Sequence, residues 1–229
     1  MKNDATGSRF TDTNDTAPRT TRPRREVVRY AETQLPTVHG TLRCVVYRNA
    51  DGVEQVAMVA GEVDGASRVL CRVHSECVTS EVFGSTKCDC KEQLDHALDR
   101  IAREGRGVVV YLRQEGRGIG LGNKIRAYAL QEEGVDTVDA NRLLGLPDDA
   151  RTYDDAAAIL ADLGVRSVLL MTNNPAKVDG LRDLGVQVVR REPHLMDVRG
   201  HALRYVETKQ QRMGHLKGAT FSYDVLSAK

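Results

Sequence analysis

Three cysteines form the stretch of this sequence best suited to chemistry. Cys77, Cys88 and Cys90 all lie within residues 74–98, although the whole chain has only five cysteines. The loop between Cys77 and Cys88 contains Gly84, so the chain can fold back and bring the three thiols together. Cys88 and Cys90 flank a single residue, and such a pair can offer both sulfurs to one ion when the middle residue points away. The pattern therefore predicts a metal site.

The thiol ligands indicate which metal and which chemistry to expect. Zinc prefers thiolate and imidazole, and a hydrolytic zinc site has three protein ligands and a fourth position for water. Three thiolates weaken the metal as a Lewis acid, so His74 and Glu76 are expected to help polarise that water. Two other interpretations stay open: a structural site closed by His74 or His96, and three ordinary buried thiols.

Short strands are predicted before the cysteine-containing residues 74–98. Residues 40–47 and 53–60 predict two strands that are joined by a hairpin turn at 49–52. A third strand is predicted at 68–73, and it ends just before His74. This half of the chain reads as antiparallel. An amphipathic helix is predicted after the cysteines, at 92–104.

A glycine-rich loop follows the next predicted strand. The strand covers residues 108–111, and residues 113–126 then mix glycines with arginine and lysine before a helix begins. Glycines let backbone N–H groups approach an anion closely, and a helix N-terminus favours negative charge. The loop therefore predicts a phosphate-binding cradle. The alternative is a glycine-rich turn with solvated charges.

The second half of the chain predicts a β-α-β unit. A helix at 154–163 is followed by a strand at 165–171, a polar turn that leads through Pro175 into a helix, and a strand at 186–189. Such strands pair in parallel, and ligands bind beyond their carboxyl ends, where Thr172 and Lys177 lie. Capping alone is the other explanation for Thr172. The predicted fold class is α/β: a mixed sheet flanked by helices, antiparallel in its N-terminal part and β-α-β in its C-terminal part.

Composition excludes several classes of protein. A net charge of +1 is too small for a protein that binds nucleic acid through bulk electrostatics, and 4% aromatic residues without tryptophan argue against base stacking. There is no apolar run long enough for a membrane span and no signal-peptide core, so a cytoplasmic protein is expected. In that compartment clustered cysteines are metal ligands rather than disulfides.

Domain organisation follows from the same reading. Residues 1–25 are predicted to be a disordered arm because they have almost no large apolar side chain. Residues 26–216 are predicted to form a single domain, with a helix near 205–213, and residues 217–229 are predicted to be a mobile tail.

Several sequence blocks together point to a known family. They are RVHSEC at 72–77, CDC at 88–90 with Gln93, RQEGRGIGL with NKIRAY, DTVDAN, DDAR and TNNPAK. Their order and spacing closely resemble those of GTP cyclohydrolase II, which opens riboflavin synthesis from GTP. The resemblance covers roughly residues 26–216.

The resemblance implies a set of site residues and cofactors. Cys77, Cys88 and Cys90 would hold one Zn²⁺ per subunit, Mg²⁺ would accompany the triphosphate of GTP, and the protein would be a homodimer. Asp149 matches the general base, Arg151 the nucleophile in phosphoryl attack, and Tyr128 a tyrosine that completes the hydrolysis. The residues that match the GTP site are Arg72, Val73, His74, Ser75, Glu76, Gln93, Glu115, Gly116, Arg117, Thr137, Thr172 and Lys177.

The implied reaction is zinc-dependent hydrolysis of GTP. It opens the imidazole ring and releases formate and pyrophosphate, giving 2,5-diamino-6-ribosylamino-4(3H)-pyrimidinone 5′-phosphate for riboflavin synthesis or a related specialised pathway. Positive charge near the α-phosphate would come from Arg113, Arg117, Arg151 and Lys177. A guanidinium is essentially always protonated, so charge stabilisation is a plainer role for Arg151 than nucleophilic attack.

Two other functions remain open at this point. One is a relative that stops early and keeps the formyl group, against which Tyr128 counts. The other is a non-enzymatic zinc protein that binds a nucleotide or a partner, with a fourth protein ligand on the metal.

Overall fold

A computed structural model describes residues 26–196 and 220–221. The predicted arm, the predicted helix at 205–213 and most of the predicted tail lie outside the described residues. The strands are β1 (Val27–Thr37), β2 (Gly40–Asn49), β3 (Glu54–Ala60), β4 (Val69–Ser75), β5 (Gly107–Leu112), β6 (Val168–Met171), β7 (Val188–Glu192), β8 (Leu195–Met196) and β9 (Thr220–Phe221). The helices are α1 (Val78–Glu81), α2 (Cys90–Glu104), α3 (Leu121–Glu132), α4 (Thr137–Leu143), α5 (Asp154–Asp162) and α6 (Pro175–Asp183), and a 3₁₀ turn covers Glu115–Gly118.

Seven strands form one mixed sheet in the order β1-β2-β3-β5-β4-β6-β7, and β8 and β9 pair separately. β1, β2 and β3 are antiparallel to one another, and β3 is antiparallel to β5. β4 pairs in parallel with both β5 and β6, and β6 pairs in parallel with β7. The predicted α/β class with its mixed sheet is confirmed. The assignment of the strand at 68–73 to the antiparallel half is wrong, because that strand is the buried centre of the parallel part.

Helices cover the sheet on both faces, as the predicted class requires. One face packs against α5 and α6 through residues such as Ile159 and Leu181. The other face packs against α2 through Ala97 and Ile101. Consecutive strand residues point to opposite faces, so Cys71 contributes to the first core and its neighbour Leu70 to the second.

Most of the predicted helices, strands and turns are close to the observed ones. The hairpin turn after β2 is present, with the Gly52 N–H donating to the Asn49 carbonyl at 2.9 Å. The predicted parallel strand pair is β6 and β7. Pro175 is the first residue of α6, and the side chain of Asn174 caps that helix by accepting from the Ala176 N–H. None of the described helices is both long and apolar enough to cross a membrane.

Candidate active site

Many of the buried polar side chains lie near the carboxyl ends of β4, β5 and β6. Each of these parallel strands is followed there by a polar segment, as expected for a ligand site in a parallel sheet. A cavity opens between these segments and helices α2, α3 and α4. Its lining includes Arg72, His74, Ser75, Glu76, Cys77, Cys88, Cys90, Gln93, Glu115, Gly116, Arg117, Ile119, Lys124, Ala127, Tyr128, Gln131, Asn141, Arg151, Thr172, Asn173, Asn174 and Lys177.

The three predicted cysteine ligands converge at this cavity. The Sγ atoms of Cys77 and Cys88 are 3.6 Å apart, and all three sulfurs lie within 4.8 Å of one another. Tetrahedral zinc with bonds of about 2.3 Å to sulfur would separate two thiolates by about 3.8 Å. The group therefore fits a zinc ion. Local structure explains the placement, since Cys77 caps α1 and Cys90 begins α2.

No fourth ligand closes this group within the described part of the chain. The metal-ligand group contains the three cysteines alone, without a histidine or carboxylate. The Nε2 atom of His74 lies 2.7 Å from Oε1 of Glu81, and the ring of His96 lies against that of His194 at 5.2 Å. Neither histidine is therefore placed to close the site.

Neighbouring groups stabilise the ionised form of the Cys77 thiol. Hydrogen bonds from Cys88 and Cys90 and the nearby Lys124 ammonium hold the pKa of Cys77 well below its ordinary value, although burial opposes them. The hydrogen bond with Cys77 and burial raise the pKa of Cys88. A metal ion would replace the protons that the three thiols share.

Lys124 was not singled out from the sequence, yet it contacts a predicted zinc ligand. Its Nζ lies 3.1 Å from Sγ of Cys77, 2.9 Å from Oγ1 of Thr79 and 2.8 Å from Oε1 of Glu115. Oε2 of Glu115 in turn accepts from the Val78 N–H at 2.6 Å. Its sequence signals were its place in the NKIRAY block and its position near the start of a helix that follows a glycine-rich loop.

Glu81 is a second residue that the sequence did not reveal. Its carboxylate accepts from the Tyr111 hydroxyl at 2.6 Å and holds Nε2 of His74. His74 and Tyr111 are register partners in β4 and β5, and their rings stack with centroids 5.7 Å apart. Burial lowers the pKa of His74. The Nε2–H tautomer follows from the neighbouring carboxylate, and it fixes the orientation of the ring.

Arg72 and Gln93 form a buried polar contact on the α2 side of the cavity. Arg72 Nη2 donates to Oε1 of Gln93, whose Nε2 donates to Oδ2 of Asp89 at 2.6 Å. Arg72 Nη1 also donates to the carbonyl of Met171. Burial lowers the pKa of Arg72 to about 10. These bonds fix the guanidinium between β4, β6 and the cysteine-bearing helix.

The predicted glycine-rich loop does line the cavity. Gly116 and Arg117 both have left-handed backbone angles, with φ of 62° and 60°. At Gly118 a Cβ atom would lie 2.9 Å from the carbonyl of Ala150, so only glycine permits this approach. The Ala150 N–H donates to the Arg117 carbonyl at 3.0 Å. This contact brings Arg151 into the cavity.

Asp149 and Arg151 form one unit at the edge of the site. The carboxylate of Asp149 accepts from Nε of Arg151 at 2.9 Å and from its backbone N–H at 3.0 Å. Burial works to raise the pKa of Asp149, but these bonds outweigh it and the pKa is lowered. Asp149 thus orients Arg151, and a lowered pKa makes it a weak base.

Lys177 and Thr172 occupy the end of β6, as predicted. Lys177 is 3% exposed, and its Nζ donates to the carbonyl of Val73 at 2.7 Å. Burial, with Arg72 and Arg151 nearby, holds the pKa of Lys177 well below its ordinary value. The hydroxyl of Thr172 accepts from the Asn174 N–H at 3.1 Å, so the capping interpretation describes part of its role.

The cavity does not include every predicted residue. Val73 contributes its backbone carbonyl, which accepts from Lys177. Asp149 does not line the cavity, but it accepts from Arg151, which does. Thr137 is the first residue of α4, and its side chain lies outside the described part of the structure. Arg113, one of the four cations expected near the phosphates, is 56% exposed and faces Glu76 at 4.0 Å instead. The cavity also contains Asn141, Asn173 and Asn174, which the sequence did not single out.

Comparison with known proteins decides which family these features belong to. The sequence profile of the GTP cyclohydrolase II family matches residues 28–193. The chain belongs to the GTP cyclohydrolase II family. The matched range contains the three cysteines and every other site residue that was predicted from the sequence.

Curated relatives extend the comparison. The riboflavin biosynthesis protein RibBA of Nocardia farcinica is 53% identical over 193 residues, which are 83% of this chain and 47% of the relative. RibBA of Bacillus subtilis is 53% identical over 192 residues, 83% of this chain and 48% of the relative. The bifunctional riboflavin biosynthesis protein RIBA 1 of Arabidopsis thaliana is 50% identical over 202 residues, 87% of this chain and 37% of the relative. This GTP cyclohydrolase II family chain therefore spans half or less of the length of these relatives.

Proposed function

We propose that this chain hydrolyses GTP, opens the imidazole ring, and releases formate and pyrophosphate. The observation that carries the proposal is that three converging thiols line one cavity at the ends of β4, β5 and β6 together with the basic side chains of Arg72, Arg117, Arg151 and Lys177. The relatives are named for riboflavin biosynthesis, which supports the first step of that pathway as the role. The product would be 2,5-diamino-6-ribosylamino-4(3H)-pyrimidinone 5′-phosphate.

Cys77, Cys88 and Cys90 would hold one zinc ion per subunit. When bound, zinc supplies a Lewis acid with an open coordination position for water. Glu76 lies next to Cys77 in the cavity, and burial raises the pKa of its carboxyl, with Glu115 and Glu81 adding to the effect against Arg113. A carboxylate with a raised pKa is a better proton acceptor at neutral pH, so Glu76 is the group we propose to receive a proton from the attacking water.

The cations of the cavity would bind the triphosphate with Mg²⁺. Arg72, Arg117, Arg151 and Lys177 all line the cavity, and arginine binds phosphate oxygens in a bidentate manner. We assign Arg151 to charge stabilisation at the α-phosphate. The hydrogen bonds that its guanidinium donates to Asp149 fix its position, which supports a fixed positive charge rather than a nucleophile.

Gln93 would bind the nucleotide from the α2 side, and Tyr128 would act in the second hydrolysis, which removes the formyl group as formate. Thr137 and Thr172 complete the proposed GTP site. The resemblance to the family also supports a homodimer, and the net charge of +1 argues against a nucleic-acid partner. Light scattering of the purified full chain tests the dimer.

Incubation with GTP, Zn²⁺ and Mg²⁺ tests the proposed reaction. We expect one formate and one pyrophosphate per GTP, and a product mass equal to that of the diaminopyrimidinone phosphate. A product that keeps the formyl group would support the relative that stops early. Zinc content without any GTP turnover would favour the binding protein instead.

A further inference from the structure

Lys124 occupies a position that the proposed reaction leaves unexplained. It lies in the first turn of α3, and its side chain is only 11% exposed. Three acceptors surround its ammonium group: the sulfur of Cys77, the hydroxyl of Thr79 and the carboxylate of Glu115, at 2.8–3.1 Å. An ammonium group has three protons to donate, so these contacts use its whole hydrogen-bonding capacity.

Glu115 connects this lysine to two backbone N–H groups. Its Oε2 accepts from the N–H of Val78, the residue after Cys77, and its Oε1 accepts from the N–H of Gly116. Glu115 is itself 8% exposed. Cys77, Glu115 and Lys124, which we call the cavity cluster, therefore form one buried network between α1, the 3₁₀ turn and α3.

Charge explains why a cation is needed at this place. Zn²⁺ with three thiolates carries a net charge of −1, and the Glu115 carboxylate would bring the group to −2. The Lys124 ammonium returns it to −1. Loss of this cation would leave a thiolate and a carboxylate close together in a buried site, which is unfavourable because burial strengthens repulsion between like charges.

We propose that Lys124 is the positioning residue of the metal site: its ammonium group holds Cys77 in place and offsets the thiolate charge through a direct hydrogen bond to the sulfur. The inference rests on the proposed zinc site. Groups that contact a metal ligand in this way affect metal affinity by about 10–100-fold. A hydrogen bond to a thiolate also withdraws electron density from sulfur, which would make the ion a stronger Lewis acid.

Zinc affinity of the full chain is the first test. In competition with a chelator, Lys124→Met and Lys124→Gln should each bind zinc about 10–100-fold more weakly than the wild type. Lys124→Arg keeps the charge and should recover most of the affinity. Lys87→Met is the matched control. The ammonium groups of Lys124 and Lys87 lie over the Tyr128 ring, at 5.8 and 4.8 Å from its centroid, but Lys87 is 39% exposed and pairs with Glu132. The control should bind zinc like the wild type.

A second measurement separates this role from simple support of the fold. With Co²⁺ in place of zinc, the thiolate-to-cobalt absorption band should move to longer wavelength in Lys124→Met and Lys124→Gln, because the sulfur loses its hydrogen bond from a cation and a neutral donor does not replace the charge. An unchanged band, or unchanged zinc affinity in both neutral variants, would overturn the inference. A wild-type chain that binds no zinc would instead overturn the proposed function. The glutamine variant keeps a hydrogen-bond donor, so it serves if the methionine variant does not fold.

Discussion

Two buried polar clusters in this molecule look alike in charge and burial but differ in what they face. The cavity cluster contains Cys77, Glu115 and Lys124. The second, which we call the hairpin cluster, contains Asn49, Gln55 and Asp155. In each, a buried carboxylate accepts hydrogen bonds from residues far away in the sequence.

The hairpin cluster connects the β2–β3 hairpin to α5. Oδ2 of Asp155 accepts from the amide groups of Asn49 and Gln55 at 2.7 and 2.8 Å. The side-chain oxygens of these two residues accept from backbone N–H groups, including that of Arg113 at 2.7 Å. None of the three residues lines the cavity at the strand ends. Their bonds therefore point to a structural role.

The difference shows that burial of charge does not identify a site by itself. In the cavity cluster a ligand atom for a metal, the sulfur of Cys77, lies at a surface that a small molecule can reach. In the hairpin cluster, amide and carboxylate groups are joined to one another and to the backbone. Substitutions in the first should change chemistry, and substitutions in the second should change stability.

Cys88→Ser should have the largest effect. Loss of one of three thiolates leaves a poor zinc site, so we expect no bound zinc and no formate release from GTP. Zinc by atomic absorption and formate by a coupled assay provide the measurements. Cys44→Ser is the control, since Cys44 lies on β2 outside the converging group. Full activity of Cys88→Ser would remove the metal from the mechanism.

Arg151→Ala should affect the phosphate chemistry more than binding. Loss of one charge-stabilising donor commonly lowers kcat by about 10²–10³-fold, and we expect this for pyrophosphate release while GTP affinity changes much less. Arg142→Ala, which removes a 61% exposed arginine that pairs with Asp148, should be near normal. If Arg151→Ala raised KM alone, the proposed role in stabilising charge would be wrong.

Asp155→Ala tests the other side of the comparison. It leaves the amides of Asn49 and Gln55 buried without their shared acceptor, which should lower the free energy of unfolding by about 1–3 kcal/mol. Urea denaturation measures this change. Asp148→Ala removes an exposed ion pair and should change stability by less than about 1 kcal/mol. Zinc content and turnover per folded Asp155→Ala molecule should stay normal, and their loss would contradict the division between the clusters.

The smallest predicted effect is a pH dependence that comes from His194, behind the cavity. Burial, with Arg72 nearby, holds the pKa of His194 well below 6.5 in the folded chain. Below pH 6.5 the unfolded chain therefore takes up a proton that the folded chain does not. Stability must fall as pH decreases, by at most about 1.4 kcal/mol per pH unit from this residue.

His194→Gln removes that contribution, so its stability should fall less steeply than that of the wild type between pH 7 and pH 5. Urea denaturation of metal-free protein across this range provides the comparison. The pKa values of His74 and His96 are also lowered, so the stability of both the wild type and His194→Gln should still fall somewhat as pH decreases. Equal slopes would show that His194 takes up its proton without unfolding.

Local patterns predicted much of the fold because they depend on neighbouring residues. The β2–β3 hairpin, α2, α5 and α6 are all close to their predicted positions. The sequence did not reveal the length of β1, whose eleven residues are mostly exposed and lack a clear apolar alternation. Nor did it reveal that β4 lies between β5 and β6, because strand order depends on contacts between distant segments.

Within the candidate site, the sequence determined the residue types: three cysteines with a spacing that allows convergence, and a glycine-rich loop that brings Arg117 to the cavity. Lys124 and Glu81 could be assigned only in three dimensions. Each acts by contacting a residue from another element, Cys77 in one case and Tyr111 in the other. Such contacts leave no periodic or spacing signal, since only the packing of β4, β5 and α3 brings the partners within hydrogen-bond distance.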